Sequence, residues 1–244
     1  MSRTLVVGDI HGGYKGLVQL FERANVTQED QLIFLGDYVD GWSESPEVVE
    51  FLFAIAQTNR CVFLRGNHES LLTKWIKTRE ENPQWFKNGG DASVAAYKKL
   101  SETDINKHLA FFEKLENYYI DEENRLFVHA GFTNPRGIQA EFFEEYLYWD
   151  RTLWEMVMSM DPNLDQSSDL YPRRLKFHKE IYIGHTPVTH FGFDQPVNFA
   201  NVWNLDTGAA FLGKISIMDI DTKEFWQSDC LADLYPNEVG RNHK

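Results

Sequence analysis

Leu5-Val6-Val7-Gly8-Asp9-Ile10-His11-Gly12 is the stretch from which the fold is read. Leu5-Val6-Val7 is a short apolar run of the kind a buried strand requires, and the glycines mark the turn that ends it. Asp9 and His11 are separated by one residue. If extended geometry persists past the run, their side chains point to the same side. A carboxylate and an imidazole converging at the end of a strand form half of a metal site. The same residues also read as a glycine-rich turn with an incidental histidine. Recurrence of the pattern along the chain is what separates the two readings.

Outward from this stretch, Tyr14 to Asn25 carries apolar residues at helical spacing (Leu17, Val18, Leu20, Phe21). Gln31 to Leu35 reads as a strand ending at Gly36-Asp37-Tyr38-Val39-Asp40-Gly41. Ser45 as N-cap, Pro46 at the first helical position and Glu47 in the first turn open a helix that runs through Ile55. Cys61-Val62-Phe63-Leu64 is a further strand, ending at Arg65-Gly66-Asn67-His68-Glu69. This β-α-β-α-β order is the grammar of a sheet covered by crossover helices. Residues 70–117 are helix-rich and read as an insertion or lid on a single domain spanning 1–244. Arg125 to Val128 ends at His129-Ala130-Gly131, a second helical stretch runs from Ile138 to Met160, and Ile181 to Ile183 ends at Gly184-His185. Val202–Leu205, Ala210–Ile220 and Glu224–Gln227 read as a terminal antiparallel meander.

Bulk properties narrow the function. Hydrophobic residues make up 43% of the chain and charged residues 25%, which fits a soluble globular protein. The formal net charge of -13 makes nucleic acid a poor partner, because an acidic surface repels polyphosphate backbones. A phosphorylated substrate stays open, since bound cations and a few arginines invert the field locally. Cys61 and Cys230 do not make a disulfide framework and are expected to be reduced. No signal-peptide pattern and no membrane-spanning apolar run is read, so a cytoplasmic location and no membrane partner are expected.

Five strand ends therefore carry residues able to hold a metal: Asp9 with His11, Asp37, Asn67, His129 and His185, each with a glycine adjacent or one residue away. Ligands of α/β sheets gather at the carboxyl ends of strands. The set mixes imidazole, carboxylate and amide oxygen without a thiolate, which suits Mn, Fe or Zn better than a structural zinc cage. Six side chains are too many for one tetrahedral ion and fit two ions about 3.5–4 Å apart with a shared carboxylate.

These blocks, in this order, resemble the signature blocks of the calcineurin-like metallophosphoesterases. The second and third are most similar to the serine/threonine phosphoprotein phosphatase branch, including its bacterial and phage members. The resemblance extends to about Ala210, where Asp206-Thr207-Gly208-Ala209 is similar to a late strand-turn of the family. It implies a four-layer α-β-β-α sandwich, with two mixed β-sheets face to face, helices outside, the metal site at one edge and the lid over it. It implies one ion, with Mn the first expectation, on Asp9, His11 and Asp37. A second would lie on Asp37, Asn67, His129 and His185. A hydroxide bridging the two ions would attack phosphorus, His68 would be the general acid and Asp40 would orient it. Arg65 matches the arginine of the third block, and Arg151 lies where the family often keeps a substrate-binding arginine. Gly41 departs from the branch, which usually carries arginine there.

The expected activity is hydrolysis of phosphate monoesters, on a phosphorylated protein or a small phosphoester, with a symmetrical diadenosine tetraphosphatase as the alternative. A non-catalytic scaffold is the third reading, disfavoured because all six ligand positions and His68 are present. Asn88-Gly89-Gly90 is read as a loop and helix start, and the aromatic run Phe142, Phe143, Tyr146, Tyr148 and Trp149 as packing.

Overall fold

Short apolar runs become the central strands because both of their faces are covered. The computed structural model describes residues 2–242. In chain order, β1 (Thr4–Val7), α1 (Tyr14–Arg23), β2 (Gln31–Phe34), α2 (Ser45–Ile55) and β3 (Arg60–Phe63) form the first unit. Helices α3 (Asn67–Thr78), α4 (Pro83–Trp85), α5 (Asp91–Tyr97) and α6 (Glu102–Glu113) follow. Next come β4 (Tyr118–Ile120), β5 (Leu126–Val128), α7 (Tyr146–Trp149), α8 (Thr152–Ser159) and β6 (Ile181–Ile183). The chain continues through β7 (Val197–Phe199), β8 (Val202–Asn204), β9 (Ser216–Asp219), β10 (Phe225–Gln227) and α9 (Leu231–Leu234).

The strands form two mixed sheets, ordered β10-β9-β1-β2-β3 and β4-β5-β6-β8-β7. Strand alternation divides the apolar residues into three layers. Val6, Ile33 and Met218 of the first sheet meet Phe127, Tyr182 and Leu205 of the second, making the inter-sheet core. Leu5, Val7, Leu32 and Phe34 point the other way, into a cluster with residues of α1, α2 and α3. Leu126, Val128, Ile181 and Ile183 pack outward against Leu153, Trp154 and Val157 of α8. The result is the expected layering of helices, two facing sheets and helices.

Several expectations are corrected. Ser45 is not the N-cap of α2; Glu44 is. The Ser45 hydroxyl is buried, within hydrogen-bond distance of the Asp40 N–H (3.1 Å) and Ser93 Oγ (3.0 Å), and so ties the second block to α5. The helical stretch from Ile138 to Met160 is broken. Glu141 accepts bonds from the Thr133 and Asn134 N–H groups, and Asp150 accepts them from Thr152 (2.9 Å) and Leu153 (3.1 Å), which starts α8 afresh. Such side-chain bonds to backbone compete with helix continuation. Phe142, Phe143, Tyr146 and Trp149 are exposed rather than packed, at 83%, 51%, 42% and 44%. The terminal meander is two separate hairpins. β7 and β8 pair in the second sheet, with β8 parallel to β6, while β9 and β10 pair in the first. Ala210 to Gly213 is a turn, not strand. No helix among the described residues is long and apolar enough to cross a membrane.

Candidate active site

The ends of β1, β2, β3, β5 and β6 converge, and each delivers its residues through a tight turn. His11, Asp37, Asp40 and His185 all have left-handed backbone (φ 53, 53, 70 and 68°), four of the nine such non-glycine residues described. Strained backbone of this kind gathers where side chains must be aimed. The neighbouring glycines are needed for close approach. A Cβ on Gly66 would lie 2.1 Å from Asp37 Oδ1, and one on Gly184 would lie 2.0 Å from Asp9 Oδ1. Glu69, buried at the start of α3, binds the turns together. Its carboxylate accepts from the N–H groups of Tyr38 (2.7 Å), Asp37 (2.9 Å), Gly66 (2.9 Å) and Val39 (3.2 Å).

Two groups of buried ligand atoms overlap. The ligand atoms of His11, Asp37 and His68 lie within 4.8 Å of one another, and so do those of Asp37, His129 and His185. Asp37 belongs to both. Asp9 Oδ2 stands 3.7 Å from His11 Nε2, and Asn67 Oδ1 is 2.9 Å from His185 Nδ1 and 3.3 Å from His129 Nε2.

The ring orientations favour cations. His129 Nδ1 lies 2.8 Å from the Leu35 carbonyl, the only role for which is donation. In the neutral ring, Nε2 is then a lone pair, and it faces two further acceptors, Asp37 Oδ2 (3.4 Å) and Asn67 Oδ1 (3.3 Å). His11 repeats the arrangement: Nδ1 faces the Val39 carbonyl at 3.3 Å, and Nε2 faces Asp9 and Asp37 oxygens at 3.7 and 3.6 Å. Acceptors converging on acceptors are stabilised by a cation between them, and donation of the second ring nitrogen to a carbonyl is how metal-binding histidines are held. His185 Nε2 is buried without a partner.

The electrostatics divide the site. Burial opposes a charge on His129, but Asp37 and Glu69 beside it raise its ring above the ordinary histidine value, so a cation would have to displace that proton to use Nε2. Burial, then Asp206 and Asp37, push the Asp9 carboxyl well above its ordinary range. Burial also raises Asp206, to about 6. Burial opposes the ionised form of Asp37 as well, but the His129, His68 and His11 rings hold it well below the usual carboxylate value. Burial pushes His11 and His185 well down, which keeps their lone pairs available.

Next to the donor set, His68 Nδ1 lies 2.6 Å from Asp40 Oδ2, which also accepts from the Trp85 indole N–H. The His68 Nε2 atom faces a cleft lined by Asp37, Asn67, His185, Trp149, Arg151 and Arg241. Arg151 is exposed in this cleft, and Asp150 bonds backbone instead of pairing with it. Arg65 is placed elsewhere. Its guanidinium reaches Asn117 Oδ1 (3.3 Å) and the Glu113 and Leu115 carbonyls (both 3.4 Å), where it caps the end of α6 and lies outside the cleft lining. Glu69, Trp85 and Arg241 are contributors that sequence reading did not assign. Only Glu69, inside the third block, carried a local signal.

Overlapping donor groups at the strand ends of two facing sheets form a candidate centre for more than one cation. A family model for calcineurin-like phosphoesterases matches residues 2–207, and the chain belongs to that family. It is a metal-dependent phosphoester hydrolase. The bis(5'-nucleosyl)-tetraphosphatase PrpE [asymmetrical] of Anoxybacillus flavithermus is 26% identical over 233 residues, which cover 87% of this chain and 88% of that protein. A crystal structure provisionally named a diadenosine tetraphosphatase superposes with a TM-score of 0.64 at 17% identity, covering 93% and 92% of the two chains. A serine/threonine phosphatase from Saccharomyces cerevisiae gives 0.59 at 17%, covering 94% and 80%. At these identities the superpositions speak to fold.

Proposed function

We propose that this protein hydrolyses dinucleoside polyphosphates, cutting a tetraphosphate bridge asymmetrically. The observation that carries the reading is the cleft itself. It continues from Asp37, Asn67 and His185 past the guanidinium of Arg151, unpaired among the described residues, to the half-exposed indole of Trp149. A cation and an aromatic face beside the donor set suit a polyphosphate chain ending in a nucleobase. The relatives named asymmetrical tetraphosphatases, alike over most of the chain, support the same substrate class.

In this reading Asp9, His11 and Asp37 hold one cation, and Asp37, Asn67, His129 and His185 hold the other, with Mn the first expectation. Such ions, when bound, would supply an acidified water and positive charge to offset the phosphoryl oxygens. His68 delivers a proton from Nε2 to the leaving oxygen, and Asp40 and Trp85 hold its ring in place. Arg151 binds phosphate beyond the bond that breaks. A second reading, a serine/threonine phosphoprotein phosphatase, is favoured by the Asp40–His68 pair, since an alkoxide leaving group needs a strong proton donor.

The test is product analysis with Mn-loaded protein. Diadenosine tetraphosphate cut asymmetrically yields ATP and AMP, whereas symmetrical cleavage yields only ADP. Trp149→Ala should raise KM for the dinucleotide and leave p-nitrophenyl phosphate unaffected. Turnover of phosphoserine or phosphothreonine peptides with no dinucleotide cleavage would shift the assignment to the second reading.

A further inference from the structure

The C-terminal segment reaches back into the cleft and places Arg241 against the proton-donating histidine. Arg241 Nη1 lies 3.2 Å from His68 Nε2, and Nη2 lies 3.2 Å from Asn88 Oδ1. Its Nε is buried with no hydrogen-bond partner among the described residues. Among the described residues no carboxylate lies within ion-pair distance of it. A guanidinium carries five N–H donors in a planar fork that matches phosphate. Among the described residues that fork has two long contacts, to an imidazole nitrogen and an amide oxygen, besides the Phe211 ring. A partly buried charge so poorly satisfied is destabilising until an anion arrives.

The segment that carries it is held firmly. The Arg241 N–H donates to the Ala210 carbonyl at 2.8 Å. The Glu238 carboxylate accepts from Ser43 N–H (3.0 Å) and Ser43 Oγ (2.7 Å), and Tyr235 stacks on Trp42 with ring centroids 5.2 Å apart. The guanidinium lies 5.1 Å over the Phe211 ring. Its path is open because Gly41 and Gly89 meet backbone to backbone, Gly41 N–H to Gly89 carbonyl at 3.0 Å. A Cβ on Gly89 would stand 3.0 Å from Arg241 Cγ.

We propose that Arg241 is a substrate-binding residue whose guanidinium clamps the phosphoryl group under attack, delivered by the C-terminal segment across the Gly41–Gly89 contact. Without substrate, Nη1 rests on His68 Nε2. An entering phosphoryl group takes over that donor, and Nε2, which holds no proton while it accepts from Arg241, gains one from solvent before it serves the leaving oxygen. The proposal rests on hydrolysis of a phosphoester at this site and not on which ester is natural.

The experiment measures inorganic phosphate affinity by calorimetry on the full-length Mn-loaded protein, alongside KM and kcat for p-nitrophenyl phosphate. Arg241→Ala should weaken phosphate binding and raise KM by about 10- to 100-fold, the scale of a lost charge-assisted contact. Bound Mn should not change. Arg241→Lys should recover part of the affinity, and added guanidinium ion should rescue the alanine variant. Glu238→Ala, which loosens the segment but keeps the arginine, should move both readings the same way by less. Unchanged phosphate affinity in Arg241→Ala, with Mn still bound, would overturn the proposal even if kcat or thermal stability fell, because the arginine would then only fasten the chain terminus. Failure to cleave a dinucleotide would leave the phosphate measurement intact, so the two readings fail separately.

Discussion

His68 turns one nitrogen to Asp40 and the other to the cleft, and that division determines how its loss will be felt. His68→Asn should retain Mn and lose about 10²- to 10⁴-fold in kcat on esters with poor leaving groups, the usual scale of proton transfer. With p-nitrophenyl phosphate, whose leaving group needs no proton, the loss should be small. Equal losses on both, measured side by side, would rule out proton donation. At this scale the sequence was informative wherever chemistry restricts residue type. Asp9, His11, Asp37, Asn67, His129 and His185 stand at strand ends beside glycines, and the structure brings them together. Arg241 and Trp85 were not legible. They arrive from distant segments with no spacing pattern, and an arginine near a terminus looks like any other. Arg65 misled for the opposite reason. Its position in a motif pointed to substrate, while the nearest unsatisfied carbonyls, at the end of α6, took its donors.

Among the elements, β1, α1 and β2 are joined at one corner by Arg3 and Asp30. The guanidinium bonds both Asp30 oxygens, at 3.1 and 2.7 Å, and reaches the Ala24 and Asn25 carbonyls where α1 ends. Burial works against the Asp30 carboxylate, but Arg3 and the Thr27 N–H hold it down at about 2. A carboxyl lowered by folding contributes stability above the unfolded value of 3.8, and that stability is lost as pH falls toward 2. Asp30→Asn should therefore be less stable than the parent at neutral pH, with the gap closing between pH 4 and 2 in urea titrations. A gap that persists at pH 2 would show that the corner does not depend on this charge. Strands such as Leu5–Val7 were legible because burial on both faces demands an unbroken apolar run. β7 was missed because Val197-Asn198-Phe199 is a half-exposed edge strand. The break before α8 was missed because Glu141 and Asp150 override helical spacing, a contest that periodicity does not register.

On the scale of the whole molecule, the donor set lies where the two sheets meet, so its occupancy bears on the stability of both. Asp9, Asp37, Glu69 and Asp206 are all buried there. Stripping cations with a chelator should lower the melting temperature, because ions that bind only the folded chain stabilise it by about 2.7 kcal/mol at a hundredfold excess over Kd. Asn67→Ala and His129→Ala should each shrink that difference. A chelator-insensitive melting curve would count against ion binding at these residues. The layered architecture was readable in advance, since three strands separated by two helices already require a covered sheet. Which later strands join which sheet was not, because short strands such as β8 and β9 carry no sequence mark of the partner each finds.

β1 is flanked by β2 on one side and by β9 on the other, with Val7 opposite Phe34 and Ile217. The first neighbour is made almost at once, but the second leaves the ribosome roughly 200 residues later, which at about 5–20 residues per second is some 10–40 s. Throughout that interval the nascent chain carries an apolar strand with one unpaired edge, the form most apt to join a neighbouring chain. The protein's yield in a cell should therefore depend on how well that edge is shielded during translation, and shortening the wait, by a circular permutation that moves β9 and β10 ahead of β1, should relieve it.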